Sequence, residues 1–157
     1  MGGKMNKDGT IELDDTDQKI LNELLVNAKA PLRKIASTLR VSFVTVMKRI
    51  KRMEEEGVIL GYTPRINYET LGYGVNVQIE VRISKGKLIE LEKKIAKSPN
   101  VSAVYDTTGD FDATIIAKFR TTRGMDNFLK HIQTFDFVER TNTKLILNTI
   151  KEEQIRV

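Results

Sequence analysis

The sequence contains no cysteine, a single histidine and no run of 18 apolar residues. Without cysteine there is no disulfide framework and no thiolate metal site, as fits a reducing interior. Without a long apolar run no membrane-spanning helix is expected. No apolar stretch follows the opening MGGKMNKDGT either, so the expected location is the cytoplasm and no membrane partner is expected. The lone histidine, His131, falls among Phe128, Leu129 and Ile132 and reads as a packed or surface residue rather than a ligand.

The sequence does hold enough apolar residues for a real core, 40% of 157, which suits one ordinary domain or two small ones. Two small domains would have to lean on each other or on a dimer partner, because small domains bury a smaller share of their surface. The net charge of +5 is modest but unevenly placed: Lys29 to Arg65 carry nine basic residues against three acids, a local +6, so the remainder carries −1. Such concentration fits a polyanion-binding element, although a basic run is more often a solvated face.

Periodicity divides the chain into a helical and an alternating part. Ile20, Leu21, Leu24 and Leu25 give one apolar face to a helix over 15–27, with Asp14 or Asp15 as its N-cap and Asp17 suiting its positive end. Pro31 ends it, and a short helix over 32–39 turns Leu32, Ile35, Ala36 and Leu39 inward. Arg40-Val41 makes a tight turn, Ser42 caps a third helix running to about Glu56, and Gly57 stops it. On that helix Phe43, Val46, Ile50 and Met53 share a narrow sector. Val44, Thr45, Lys48, Lys51 and Arg52 lie opposite, with Arg49 at the border. A greasy face that docks on two short helices and a basic face that points outward make a helix-turn-helix. Residues 58–62 read as an extended segment leaving the unit.

From Val75 the period becomes two. Strands are expected over 75–83, 101–107, 113–119 and 138–150, with helices over about 87–98 and 123–134. The order β-α-β-β-α-β is the ferredoxin-like one, with helices on one sheet face and a second face left for a dimer or higher assembly. The expected fold class is therefore α+β: a three-helix, winged-type helix-turn-helix and a C-terminal ferredoxin-like βαββαβ domain. The expected boundaries are a disordered N-terminus over 1–11, a basic helix-turn-helix domain over 12–61, a linker or hinge over 62–74, and a ferredoxin-like assembly domain over 75–157.

The string Leu13-Asp14-Asp15-Thr16-Asp17, then Ile20-Leu21, Ile35-Ala36, Ser42 and Arg49 through Ile59, resembles the N-terminal signature of Lrp/AsnC (feast/famine) transcription regulators. Thr108-Gly109-Asp110-Phe111-Asp112 and Thr141-Asn142-Thr143 resemble the effector-binding domain of the same family, and the likeness spans about 12–151. The resemblance implies a regulator that forms homodimers, often assembled into octamers, and binds palindromic promoter sites in double-stranded DNA. It also implies an amino acid or related small molecule held between subunits; from the residues themselves, no other cofactor or metal is expected. One departure is Arg40, at a position often glycine in that family; if left-handed, a side chain there costs roughly 1 kcal/mol, partly offset by a cation's fit to a helix C-terminus, and the cation adds a candidate phosphate contact.

The candidate DNA contacts follow. Lys48, Lys51 and Arg52 would clamp phosphates, and Arg49 or Lys48 would reach guanine edges. Val44 and Thr45 would touch thymine methyl groups. Ser42 and Phe43 open the same helix and are counted with this set, and Arg33 is a backbone contact or simple surface charge. The resemblance centres effector contacts on Gly109, Asp110, Phe111 and Asp112, with Tyr105 and Thr108 beside them and Thr141 and Thr143 in the last strand. Asp110 and Asp112 admit three readings: an acid–base pair, for which no nucleophile or metal cluster is at hand; plain turn residues; or the ligand of an amino acid's ammonium group. Siroheme decarboxylases share the overall architecture and would make the chain an enzyme, but one histidine and a basic helix do not supply a haem pocket. A third reading is an architectural protein that coats DNA with little sequence preference. The chain is thus expected not to be an enzyme.

Overall fold

A computed structural model describes residues 9–84 and 86–157; the expectation of a disordered start over 1–8 lies outside the described residues. The chain divides into two compact units, 1–65 with 152–157, and 66–151.

The helical unit holds α1 (Asp15–Val26), α2 (Leu32–Leu39) and α3 (Phe43–Glu55). Each boundary has a local cause. The Asp14 carboxylate accepts from the amides of Thr16 and Asp17, while Asp17 reaches back to the Asp14 amide, so two acids satisfy the first turn of α1 reciprocally. Ser42 caps α3 by accepting from the Thr45 amide at 3.0 Å. At the far end of α3, Gly57 takes φ 72°, and the amides of Gly57 and Val58 donate to the carbonyls of Glu54 and Met53. That is a Schellman closure. The end of α2 closes identically, with the amides of Arg40 and Val41 donating to Ser37 and Ala36, but there the left-handed residue is Arg40, at φ 56° and ψ 40°.

The core of this unit is Ile20, Leu24, Ile35, Ala36, Val46, Ile50 and Met53. Leu25 and Phe43 were expected inward and are instead 40% exposed, because each lies at the margin of its helix's apolar sector. The segment after Gly57 pairs with no strand. The one bridged position in the described part of this unit is Ile11, so a built wing is not among its described elements. The last residues also belong here rather than with the sheet: the Asn22 side-chain amide donates to the Val157 carbonyl at 2.6 Å and accepts from its amide at 3.2 Å. Arg65 lies 3.7 Å from Glu153.

The second unit holds β1 (Val75–Ile83), α4 (Leu88–Ile95), β2 (Val101–Asp106), β3 (Ala113–Phe119), α5 (Thr122–Gln133) and β4 (Val138–Leu145). The four strands form one antiparallel sheet in the order β2-β3-β1-β4, the ferredoxin-like arrangement. Strict alternation buries Val77, Ile79, Val81 and Ile83 of β1 and Ala113, Ile115, Ala117 and Phe119 of β3 together with Ile95, Ile132 and Phe137. The other face is largely polar along β1 and β4, where Glu80 accepts from Lys144 at 2.7 Å and Asn142 at 2.8 Å.

Two boundaries differ from the sequence reading. The last strand ends at Leu145, not near residue 150: Leu145 opposes Val77, the Ile146 amide makes a final bond to the Asn76 carbonyl, and β1 begins at Val75, so residues 148–150 have no partner on β1. The region expected as a hinge is in part a built turn. Residues 66–74 go with the sheet, where the Arg120 guanidinium donates to the Leu71 carbonyl at 2.7 Å and stacks 4.6 Å from the centre of the Tyr73 ring.

Candidate nucleic-acid interface and ligand turn

The second helix of the helix-turn-helix, α3, has one side closed and one side open. Val46 and Met53 are fully buried and Ile50 nearly so, while Val44 is 48% exposed. Lys48 and Lys51 are also exposed, and Lys51 lies 3.6 Å from Glu55 one turn on. Phe43 sits at the start of the exposed side, with the Arg33 guanidinium over its ring at 5.7 Å, and Ser42 and Thr45 share a hydroxyl–hydroxyl bond of 2.7 Å. The structure therefore gathers Arg33, Ser42, Phe43, Val44, Thr45, Lys48 and Lys51 around the N-terminal half and outer side of one helix.

Arg49 and Arg52 do something different from what the sequence reading expects of them. Arg49 donates to the Asp14 carboxylate at 2.6 Å and to Asp17 at 2.7 Å, and Arg52 donates to the other Asp17 oxygen at 2.5 Å. Asp17 is the buried charged residue of this core, 1% exposed, and it is sustained by two guanidiniums. The two arginines are thus committed to α1, and the outward charge of α3 is that of its lysines. The pattern was available in the sequence as two acids three apart at the start of one helix and two arginines three apart on another. Sequence reasoning gave Asp14 only the cap of α1 and Asp17 only the helix dipole.

The bond from Arg49, with that from the Asp17 amide, holds the Asp14 carboxyl below its ordinary value of 3.8. A carboxylate whose folded pKa lies below its unfolded value adds stability that is present above the unfolded pKa and lost as pH falls through the folded one. Thermal unfolding followed by helix dichroism should therefore show the helical unit weakening below about pH 4. Asp14→Asn, which preserves the cap, should flatten that loss; an unchanged acid profile in the variant would show that Asp14 does not carry it.

In the second unit the Gly109–Asp112 turn joins β2 to β3, and Gly109 takes φ 118°. Asp112 is a structural member of this turn. Its carboxylate accepts from the Ile83 amide at 2.7 Å, its own amide donates to the Val81 carbonyl at 3.0 Å and its carbonyl accepts from the Thr107 amide at 3.0 Å. Asp110 is exposed and makes no such bond among the described residues. Asp106, Thr107, Thr108 and Asp112 line an open depression of about 300 Å³. Phe111 lies under the Arg140 guanidinium, 4.7 Å from its ring centre; sequence reasoning missed Arg140, which nothing in its local pattern marks.

The remaining candidates do not converge within one chain. Tyr105 opposes Thr114 and so lies on the sheet face away from the helices, 56% exposed. Thr141 and Thr143 oppose Val81 and Ile79 and so lie on the helix-covered face, where the Thr141 hydroxyl accepts from Gln133 at 3.0 Å. His131 is exposed and packs edge-on against Phe135 at 5.2 Å between ring centres. Among the described residues no helix is long and apolar enough to cross a membrane.

A helix-turn-helix unit joined in one chain to an antiparallel ferredoxin-like unit has the architecture of a DNA-binding regulator with a second, separate domain. Similarity to known proteins makes the class specific. The AsnC-type helix-turn-helix domain matches residues 13–54 and the Lrp/AsnC ligand binding domain matches residues 76–155. The chain belongs to the Lrp/AsnC family of helix-turn-helix transcription regulators. It is 41% identical over 143 residues to an uncharacterized HTH-type transcriptional regulator of Pyrococcus furiosus, covering 91% of this chain and 97% of the relative. Among solved structures, Escherichia coli AsnC matches with a TM-score of 0.87 at 26% identity, over 93% of this chain and 99% of that one. The feast or famine regulatory protein of M. tuberculosis complexed with L-methionine matches with a TM-score of 0.86 at 26% identity, over 93% and 100%.

Proposed function

We propose that the protein is a regulator without catalytic activity that binds palindromic DNA sites as a homodimer or larger assembly, with α3 as the reading helix and an amino acid as effector. The observation that carries the DNA reading is the asymmetry of α3: Val46 and Met53 are fully buried on one side, and Val44 and Lys48 are exposed on the other. In this reading Val44 and Thr45 meet base edges, and Lys48 and Lys51 meet phosphates. The effector reading rests on Asp110 and the concavity beside it, together with the L-methionine complex of a structural relative. In it the free Asp110 carboxylate receives the effector's ammonium group, while Asp112 shapes the turn. Effector binding shifts the regulator only to the extent that affinity differs between its assembled forms.

The test uses a duplex enriched from a random-sequence pool on the parent protein. Lys48→Ala should weaken binding and reduce the dependence of log affinity on log salt by about one, as when one phosphate is no longer neutralised. Unchanged affinity and slope would remove Lys48 from the interface. Calorimetric titration of the protein with the common amino acids should give heat from at least one, accompanied by a change in affinity for the enriched duplex. Silence in both measurements would exclude a free amino-acid effector. Absorbance near the Soret band in the purified protein would contradict the absence of haem chemistry.

A further inference from the structure

The ends of α2 and α3 close with the same pair of backbone bonds, and both closures require a left-handed residue. At the end of α3 the chain supplies Gly57, the residue that adopts this conformation without steric cost. At the end of α2 it supplies Arg40, the one residue other than glycine with positive φ among those described. An L side chain there crowds the following carbonyl, and arginine has no short polar group to compensate locally. A strained position that keeps a long cation invites a functional reason, since the fold alone favours glycine.

The charge distribution around it supplies that reason. Arg49 and Arg52 are committed to Asp14 and Asp17, Lys51 faces Glu55, and Arg33 lies over the Phe43 ring. Arg40 is exposed, and among the described residues no carboxylate pairs with it and no ring lies under it. It stands two residues before the Ser42 cap, in the turn that delivers α3, so it flanks the start of the helix that enters the groove. Groups flanking that point meet the phosphate backbone rather than base edges.

We infer that Arg40 is a DNA phosphate contact, held in a left-handed conformation for the sake of its guanidinium. This rests on the DNA reading of α3. A competing account is that the cation merely complements the C-terminal dipole of α2. The two differ in the sign of a pair of measurements.

The experiment compares the full-length parent with Arg40→Gly and Arg40→Asn, glycine and asparagine both being at ease in the left-handed region. Binding is measured across a salt series to the enriched duplex and to an unenriched random duplex, and thermal unfolding is followed in parallel. The expected result is an unfolding midpoint equal to or above the parent's in both variants. Affinity is expected to fall roughly tenfold on both duplexes, with a salt slope smaller by about one. Parent-like affinity and slope in variants that fold would overturn the assignment. So would a loss confined to the enriched duplex, which would mean base reading, or a lower midpoint with unchanged binding, which would mean a dipole role. A parent that enriches no duplex and binds none would overturn the DNA reading itself, and this assignment with it.

Discussion

Asp17→Ala is expected to destabilise the helical unit by about 3 kcal/mol, the lower end of the range for breaking a buried ion pair. The Asp17 side chain is 1% exposed and accepts from Arg49 and Arg52, whose side chains are 25% and 22% exposed. Its removal leaves Arg52 without the acceptor it meets at 2.5 Å, and the Nε of Arg52, buried and without a hydrogen bond, faces Glu56 only at 3.6 Å. The partial exposure of both arginines gives them a path to water and keeps the loss from the upper end of that range. Asp15→Ala is the control. Its pair with Lys19 joins side chains that are 80% and 58% exposed, and such surface pairs contribute only about 0.5 kcal/mol or less. Urea unfolding followed by helix dichroism measures both. A loss below about 1 kcal/mol for Asp17→Ala would mean that the two arginines find equal partners elsewhere. The consequence for function is that a binding defect in Arg49 or Arg52 variants reports first on how α3 is anchored to α1, and only after that on DNA.

The second large effect separates two neighbouring acids. Asp112→Ala should cost roughly 1.5–3 kcal/mol, the range for a hydrogen bond to a charged group, because it strands the Ile83 amide at the end of β1. Asp110→Ala should leave stability within about 0.5 kcal/mol of the parent, as surface substitutions do. If Asp110 receives an effector's ammonium group, its variant should instead lose effector affinity by roughly tenfold or more. Thermal unfolding and calorimetric titration of the two variants, run together, resolve the assignment. Equal stability losses in both would show that the turn acts as one structural piece, and unchanged ligand affinity in Asp110→Ala would move the ligand site off this turn.

The contrast between these two acids shows where sequence reading stops. Thr108 to Asp112 announce a functional turn as a string, but the string does not say which carboxylate faces solvent and which is spent on the Ile83 amide. The same holds for α3. Its 3.6-residue period placed Val46, Ile50 and Met53 inside and Lys48 outside, and the structure agrees. Period alone could not show that Arg49 and Arg52 reach 35 residues back to Asp14 and Asp17, because long charged side chains at the edge of a face choose partners by tertiary geometry.

In the sheet, alternation from Val75 to Ile83 read off the whole of β1, since one face is buried throughout. The run after Leu145 has the same β-prone composition, yet it is not a strand: the Ile146 amide makes one last bond to Asn76, and past the position opposite Val75 no neighbour is left on β1. Propensity is local, whereas pairing needs a partner. Tyr105 and Thr141 show a further limit: both belong to strands, but their register places them on opposite faces, and register is not visible until the neighbour is known.

The most direct test of the central claim is footprinting of the parent protein on genomic DNA fragments that it selects, repeated with Lys48→Ala. A regulator whose paired α3 helices enter successive major grooves protects discrete half-sites about one helical turn apart, and the protection weakens in the variant. Continuous protection along the fragment would identify a coating protein, and protection indifferent to Lys48 would mean that this face of α3 is not what meets the DNA.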